Sequence, residues 1–232
     1  GLADGEFWST TSHSNLLTRN AGRPAGLFRL QMWGAAEPWR GLVVYAQAET
    51  EMGNARDEGN SFGFYQDRYG VRYVPSRAFV LDVGKLQPII GTFAPRHFSN
   101  RNPLIGAPDG YSLEYPLGAS VSGETKHFDY RAAMVTLPAS HENYVPEAKA
   151  RLRPAVGAGI TPVVGVRLGA SYTVGPYLND EYTASQLLDR PWTKYHQRVV
   201  AVDAKFVRGY LETYAEAARG SYDVPGRANA II

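Results

Sequence analysis

The sequence predicts an all-β protein: one up-and-down antiparallel transmembrane β-barrel, with about ten strands in this chain. Three observations carry that expectation. Apolar and polar residues alternate with period two through most of the chain, as in strands whose successive side chains point to opposite faces. Short and long connections between these segments alternate strictly, as they do when tight turns lie on one side of a bilayer and long loops on the other. No stretch offers the roughly 18 charge-free apolar residues of a transmembrane helix. Arg, Lys, Asp or Glu interrupts each candidate, and Pro154–Val166 is too short and too rich in Gly and Pro.

The alternation is plainest from Val163 to Val174. Val164, Val166, Leu168, Ala170, Tyr172 and Val174 fall on one face, and Arg167, Gly169, Ser171 and Thr173 on the other. Leu27–Gly34 sets Phe28, Leu30 and Met32 against Arg29 and Gln31, and Leu42–Glu51 sets Leu42, Val44, Ala46 and Ala48 against Tyr45, Gln47, Glu49 and Glu51. Arg68–Tyr73 sets Tyr69, Val71 and Tyr73 against Arg68 and Arg72. Near the end, Val200, Val202, Ala204 and Phe206 oppose Asp203 and Lys205, and Leu211, Thr213, Ala215 and Ala217 oppose Tyr210, Glu212, Tyr214 and Glu216. Tight hairpin turns are expected at Glu37–Arg40, Pro75–Arg77, Thr125–His127, Thr161–Pro162 and Val207–Gly209. Longer polar connections are expected at Gly53–Ser61, Pro88–Pro116, Pro138–Pro146, Gly175–Lys194 and Asp223–Arg227. The chain reads as one domain over 1–232, with residues 1–25 as an N-terminal extension and 88–116 as the long loop.

The 232 residues suit one large β unit. A net charge of +2 gives no global field for nucleic acid. The absence of cysteine removes disulfides, thiolate catalysis and Cys-based metal sites. The 15 Tyr and 4 Trp suit a membrane interface, where a ring meets both lipid and water. Trp39, Tyr69, Tyr73 and Tyr172 are expected outside, near the rims.

The strand Phe79–Lys85 followed by Gly91-Thr92-Phe93, the loop Asn102–Tyr111, and the pair Val202-Asp203-Ala204 with Tyr210–Tyr214 resemble elements of porin-like outer-membrane proteins, including the phosphate-selective porin type. The resemblance covers most of the chain as a pattern. It implies a water-filled barrel in the outer membrane of a Gram-negative bacterium, in contact with membrane lipid, and it carries no substrate. A homo-oligomer such as a trimer is compatible with it. Such barrels usually finish on a strand with a terminal aromatic residue. Here Ala230-Ile231-Ile232 reads like the opening of another strand, so the chain is expected to be an N-terminal fragment of a longer barrel.

Chemistry-bearing motifs are few. His13, His97, His127, His141 and His196 show no metal-ligand spacing, and no cofactor motif is present. His97 and Ser99 form the one pair worth weighing as a barrel-wall hydrolase site, and no triad pattern accompanies them. Gly157-Ala158-Gly159 lacks the following helix of a phosphate-binding turn and is expected to let side chains approach closely. No catalytic residue is assigned, and no enzyme activity is expected.

If the apolar face meets lipid, the other face lines the lumen. The expected pore-lining residues are Arg29, Glu49, Arg68, Arg72, Asp82, Arg131, Arg151, Arg153, Arg167, Asp203, Lys205 and Glu212, with Arg96 and Arg101 on a constriction loop that folds inward. Basic residues concentrate on the middle strands, while acidic ones lean to the second and last, so the two sets would face each other across a pore. The expectation is a channel for passive diffusion of small hydrophilic solutes that favours anions, with no nucleic-acid partner. The alternatives are a soluble or surface-attached all-β carbohydrate-binding module and the hydrolase. The module would cover the face bearing Val164, Val166, Leu168 and Ala170 with a second sheet.

Overall fold

A computed structural model describes residues 1–9, 24–54, 61–92, 115–136, 151–178, 190–224 and 230–231. The strands are β1 (Leu2–Trp8), β2 (Ala25–Trp39), β3 (Leu42–Gly53), β4 (Ser61–Ser76), β5 (Phe79–Lys85), β6 (Leu117–Glu124), β7 (Phe128–Val135), β8 (Arg153–Val163), β9 (Val166–Pro176), β10 (His196–Arg208), β11 (Leu211–Tyr222) and β12 (Ala230–Ile231). They form a single antiparallel sheet in simple sequence order. Eleven strands have seven residues or more, and the twelfth has two. Among the described residues the only helical element is a 3-10 turn at Trp192–Lys194. β1 and β12 are not paired with each other, so the sheet is open at that seam among the described residues.

The up-and-down order puts all five tight turns at one end of the sheet and every long connection at the other. The expected alternation of connections therefore holds. Several details differ from the sequence reading, among them turns that fall at Arg77–Ala78 and Gly209–Tyr210, one or two residues past the expected places. The strand count rises from about ten to twelve, because Leu2–Trp8, inside the expected extension, pairs with Ala25–Gln31, and because Ala230–Ile231, expected as the opening of a further strand, pairs with Ser221–Tyr222. The first turn is Arg40–Gly41, past Pro38, which sits at an irregularity in the β2–β3 register. The turn expected at Thr161–Pro162 is Val164–Gly165. There the apolar Val164 continued the strand pattern and concealed the turn, which Gly165 makes with φ of +87°.

Gly165 also packs tightly, since a Cβ there would stand 2.2 Å from the Val207 carbonyl oxygen. Gly165→Ala is expected to lower folding stability by about 1–3 kcal/mol through backbone strain. At Gly209, with φ of +59° and open space around it, an Asn should be tolerated. Paired urea titrations of the two variants check this difference.

One bulge resets the pattern. Gln47 pairs with Arg68 and Ala48 with Gln66, leaving Asp67 as the extra residue of β4. Before it the most exposed apolar positions are Phe62 and Phe64, with the Tyr65 ring laid over Gly63, and after it Tyr69, Val71 and Tyr73. The change from even to odd positions keeps one face apolar throughout.

The two faces are chemically inverted relative to a water-soluble sheet. Phe28, Leu30, Met32, Val71, Leu168, Val200 and Val202 are exposed, while Gln31, Glu49, Asp67, Asp82, Ser171, Gln197 and Asp203 are buried. Val164 is 97% exposed and Leu168 46%, and no second sheet covers them among the described residues. Trp39, Tyr69, Tyr73 and Tyr172 are exposed on the apolar face. Trp39 and Tyr73 lie near the turn end, and Tyr69 nearer mid-strand. β2–β4 and β8–β11 have 11–16 residues, enough for the roughly 9–11 needed to cross a bilayer at a tilt.

Candidate functional site

The polar face is crossed by a strap, residues 86–92, that leaves β5 and runs to β11. Leu86, Ile89 and Ile90 are buried against Ala133 and Val135 of β7, Ala155 of β8, and Val199 and Ala201 of β10. Each such apolar side chain contributes on the order of 1.5–3 kcal/mol on burial. The strap's end is held by hydrogen bonds. Arg131 Nη2 donates to the Gly91 carbonyl at 3.0 Å, and Gly91 N–H donates to Ser171 Oγ at 3.0 Å. Thr92 donates twice to one Glu216 oxygen, from N–H at 2.7 Å and from its hydroxyl at 2.8 Å.

The reach of the strap reports on the sheet's shape. Six strand steps separate β5 from β11, roughly 29 Å of flat sheet at about 4.8 Å per step. Seven residues span at most roughly 25 Å fully extended, and the strap bends at 90–92. The sheet therefore curls around it, and the polar face is the inner one.

On that face the charges form three clusters. At β1–β3, four carboxylates converge on Arg29: Asp4 at 3.4 Å, Glu6 at 3.1 Å, Glu49 at 3.1 Å and Glu51 at 2.8 Å. Gln31 Nε2 adds a bond to Glu49 at 3.2 Å, and Gln47 Nε2 one to Asp67 at 3.0 Å. At β4–β5, Arg72 Nε donates to Asp82 at 2.8 Å. Arg68 lies over the rings of Tyr45 at 5.6 Å and Tyr115 at 6.0 Å. Burial, helped by the charge of Asp67, pushes the Tyr115 phenol up to about 12, so it remains a neutral donor at any ordinary pH. At β7–β10, Arg167 donates to both oxygens of Asp129, at 2.8 and 2.7 Å, and also to Asp203.

Glycines make that last cluster possible. A Cβ at Gly159 would stand 2.4 Å from Arg167 Nη2, and one at Gly157 would stand 2.8 Å from Arg131 Nε. The two residues lie in β8 as flat spots over which arginines from β7 and β9 are laid, the close approach expected for this pair.

Most of the expected pore-lining residues belong to this inner face: Arg29, Glu49, Arg68, Arg72, Asp82, Arg131, Arg167 and Asp203. Arg153 faces inward too but is fully buried, donating to Thr173 Oγ1 at 3.2 Å, the Pro176 carbonyl at 3.2 Å and the Gln197 carbonyl at 3.3 Å. It braces β8 to β9 and β10 and has no exposed surface. Arg151 is exposed just before β8. Lys205 and Glu212 pair at 2.8 Å near the turn end. Arg96, Arg101, His97 and Ser99 lie outside the described residues. The sequence reading missed Tyr45 as a cation platform and Thr92 with Glu216 as the strap's anchor. Alternation places Tyr45 and Glu216 on the polar face, but no local signal pairs residues 124 positions apart.

No protein-family model matches the chain, and no curated protein matches it. The class defined by the fold and the inner face is a one-sheet, up-and-down antiparallel β protein with an apolar exposed face and a charged enclosed one.

Proposed function

We propose that this chain forms the wall of a porin-like channel in a Gram-negative outer membrane, passing small hydrophilic solutes by passive diffusion. The observation that carries the reading is the inverted distribution of side chains: apolar residues are exposed on one face and ionised, hydrogen-bonded residues are enclosed on the other. In water such an exposed apolar face is unfavourable. Against lipid tails it is the stable arrangement, and the lumen takes the charges. The alternation of connection lengths and the strap across the inner face support it further, since such a strap narrows a water-filled path.

Arg68 and Arg72 stand on β4 and Arg131 on β7, beside the strap, while the acidic cluster around Arg29 stands on β1–β3, next to β4. Arginines lining the narrowed path raise the local concentration of anions. Reconstituted into planar bilayers, the native protein should give discrete ohmic steps. Under a salt gradient, Arg68→Gln combined with Arg72→Gln should move the reversal potential toward cation preference. An absence of conductance from folded protein would overturn the channel reading.

A further inference from the structure

We propose that the inner face holds a binding site for short monocarboxylates, set between Arg68, Arg131 and Tyr45 on the wall and Leu86–Ile89 on the strap. The proposal rests on the inner face being a solute path and names the solute class it would select. A cavity of about 170 Å³ lies there. Among the described residues, Arg68 Nε and Arg131 Nε are buried with no hydrogen-bond partner, the Tyr45 hydroxyl has none but the neighbouring Arg68 side chain, and all three residues line this one cavity. Buried donors are rarely left unpaired in folded proteins. Two guanidinium groups with an unpaired donor, beside one space, point to an acceptor that enters it.

The charges select a monoanion. Arg72 is already engaged by Asp82, whose carboxylate also lines the cavity and repels a second negative charge. Arg131 spends Nη2 on the strap and also lines a neighbouring cavity beside Asp129 and Asp203. Arg68 has ring contacts with Tyr45 and Tyr115 and no carboxylate within ion-pair distance among the described residues. Its planar fork matches a carboxylate's two oxygens. The strap side is Leu86, Gln87, Pro88 and Ile89, with Ser120 and Ser122 completing the lining; its apolar part suits a short hydrocarbon tail.

The test is calorimetry on the folded native protein in a zwitterionic detergent, titrated separately with butyrate, inorganic phosphate and 1-butanol. Butyrate should bind saturably at one site, phosphate at least tenfold more weakly, and 1-butanol not measurably. Arg68→Gln should weaken butyrate at least tenfold and Tyr45→Phe severalfold, while Val202→Thr on the outer face should leave it unchanged. If Arg68→Gln fails to fold, Tyr45→Phe and the comparison of anions still decide. Absence of saturable butyrate binding, phosphate binding as tightly as butyrate, or full affinity in Arg68→Gln would overturn the site. Conductance without butyrate binding would sink this site alone. Butyrate binding without conductance would sink the channel and leave the site standing.

Discussion

Val202→Arg is expected to reduce folding stability in lipid vesicles by about 2–4 kcal/mol, the cost of an arginine on the lipid-facing surface of a barrel near the bilayer midplane. Val202 is 52% exposed in the middle of β10, where the apolar band would be deepest. Val164→Arg is the matched control. It sits in a turn at the sheet's end, 97% exposed, and should cost at most about 1 kcal/mol. For a sheet whose outer face meets water, both substitutions would stay within about 0.5 kcal/mol. Urea-dependent folding into vesicles, followed by tryptophan fluorescence, reads the difference.

Arg29→Gln is expected to cost about 3–5 kcal/mol, the range for breaking a buried ion pair by removing one partner. The Arg29 side chain is only 12% exposed, and four carboxylates from β1 and β3 converge on it. The substitution keeps some hydrogen bonding but removes the cation that offsets their mutual repulsion. The loss should shrink as the medium is acidified, because protonating carboxylates relieves that repulsion. Wild type and variant compared by urea titration at neutral and mildly acidic pH would show it. Equal losses at both pH values would mean the cluster is held by geometry and not by charge.

Much of the fold was legible because the side-chain period of a strand is two, and one enclosed face enforces that period along the whole chain. Val166–Val174 and Val200–Phe206 showed their faces directly. Errors arose where the period carried no information. The strand Leu2–Trp8 is short, and its partner lies across a long connection, so nothing local marked it. Val164 obeyed the alternation while sitting in a turn, and only the positive φ of Gly165 places that turn. The bulge at Asp67 lay at the boundary of the recognised strand, although the aromatic positions shift from Phe62 and Phe64 to Tyr69 and Tyr73 around it.

The inner face was legible as a set of charged residues, but their roles were not. Arg153 reads like Arg72 in the sequence, yet it is sealed against neutral acceptors of two neighbouring strands, while Arg72 meets a carboxylate. Which arginine faces a cavity depends on the strap's path, and that depends on contacts such as Thr92 with Glu216, far beyond any local pattern.

The most direct measurement is a single-cysteine scan of β9 in lipid bilayers, since the chain contains no cysteine of its own. An environment-sensitive label placed at each position from Leu168 to Thr173 would be exposed to brominated phospholipids. A lipid-facing outer surface predicts strong quenching at Leu168, Ala170 and Tyr172, and little at Gly169, Ser171 and Thr173. Uniformly weak quenching, or quenching without a period of two, would contradict a transmembrane wall.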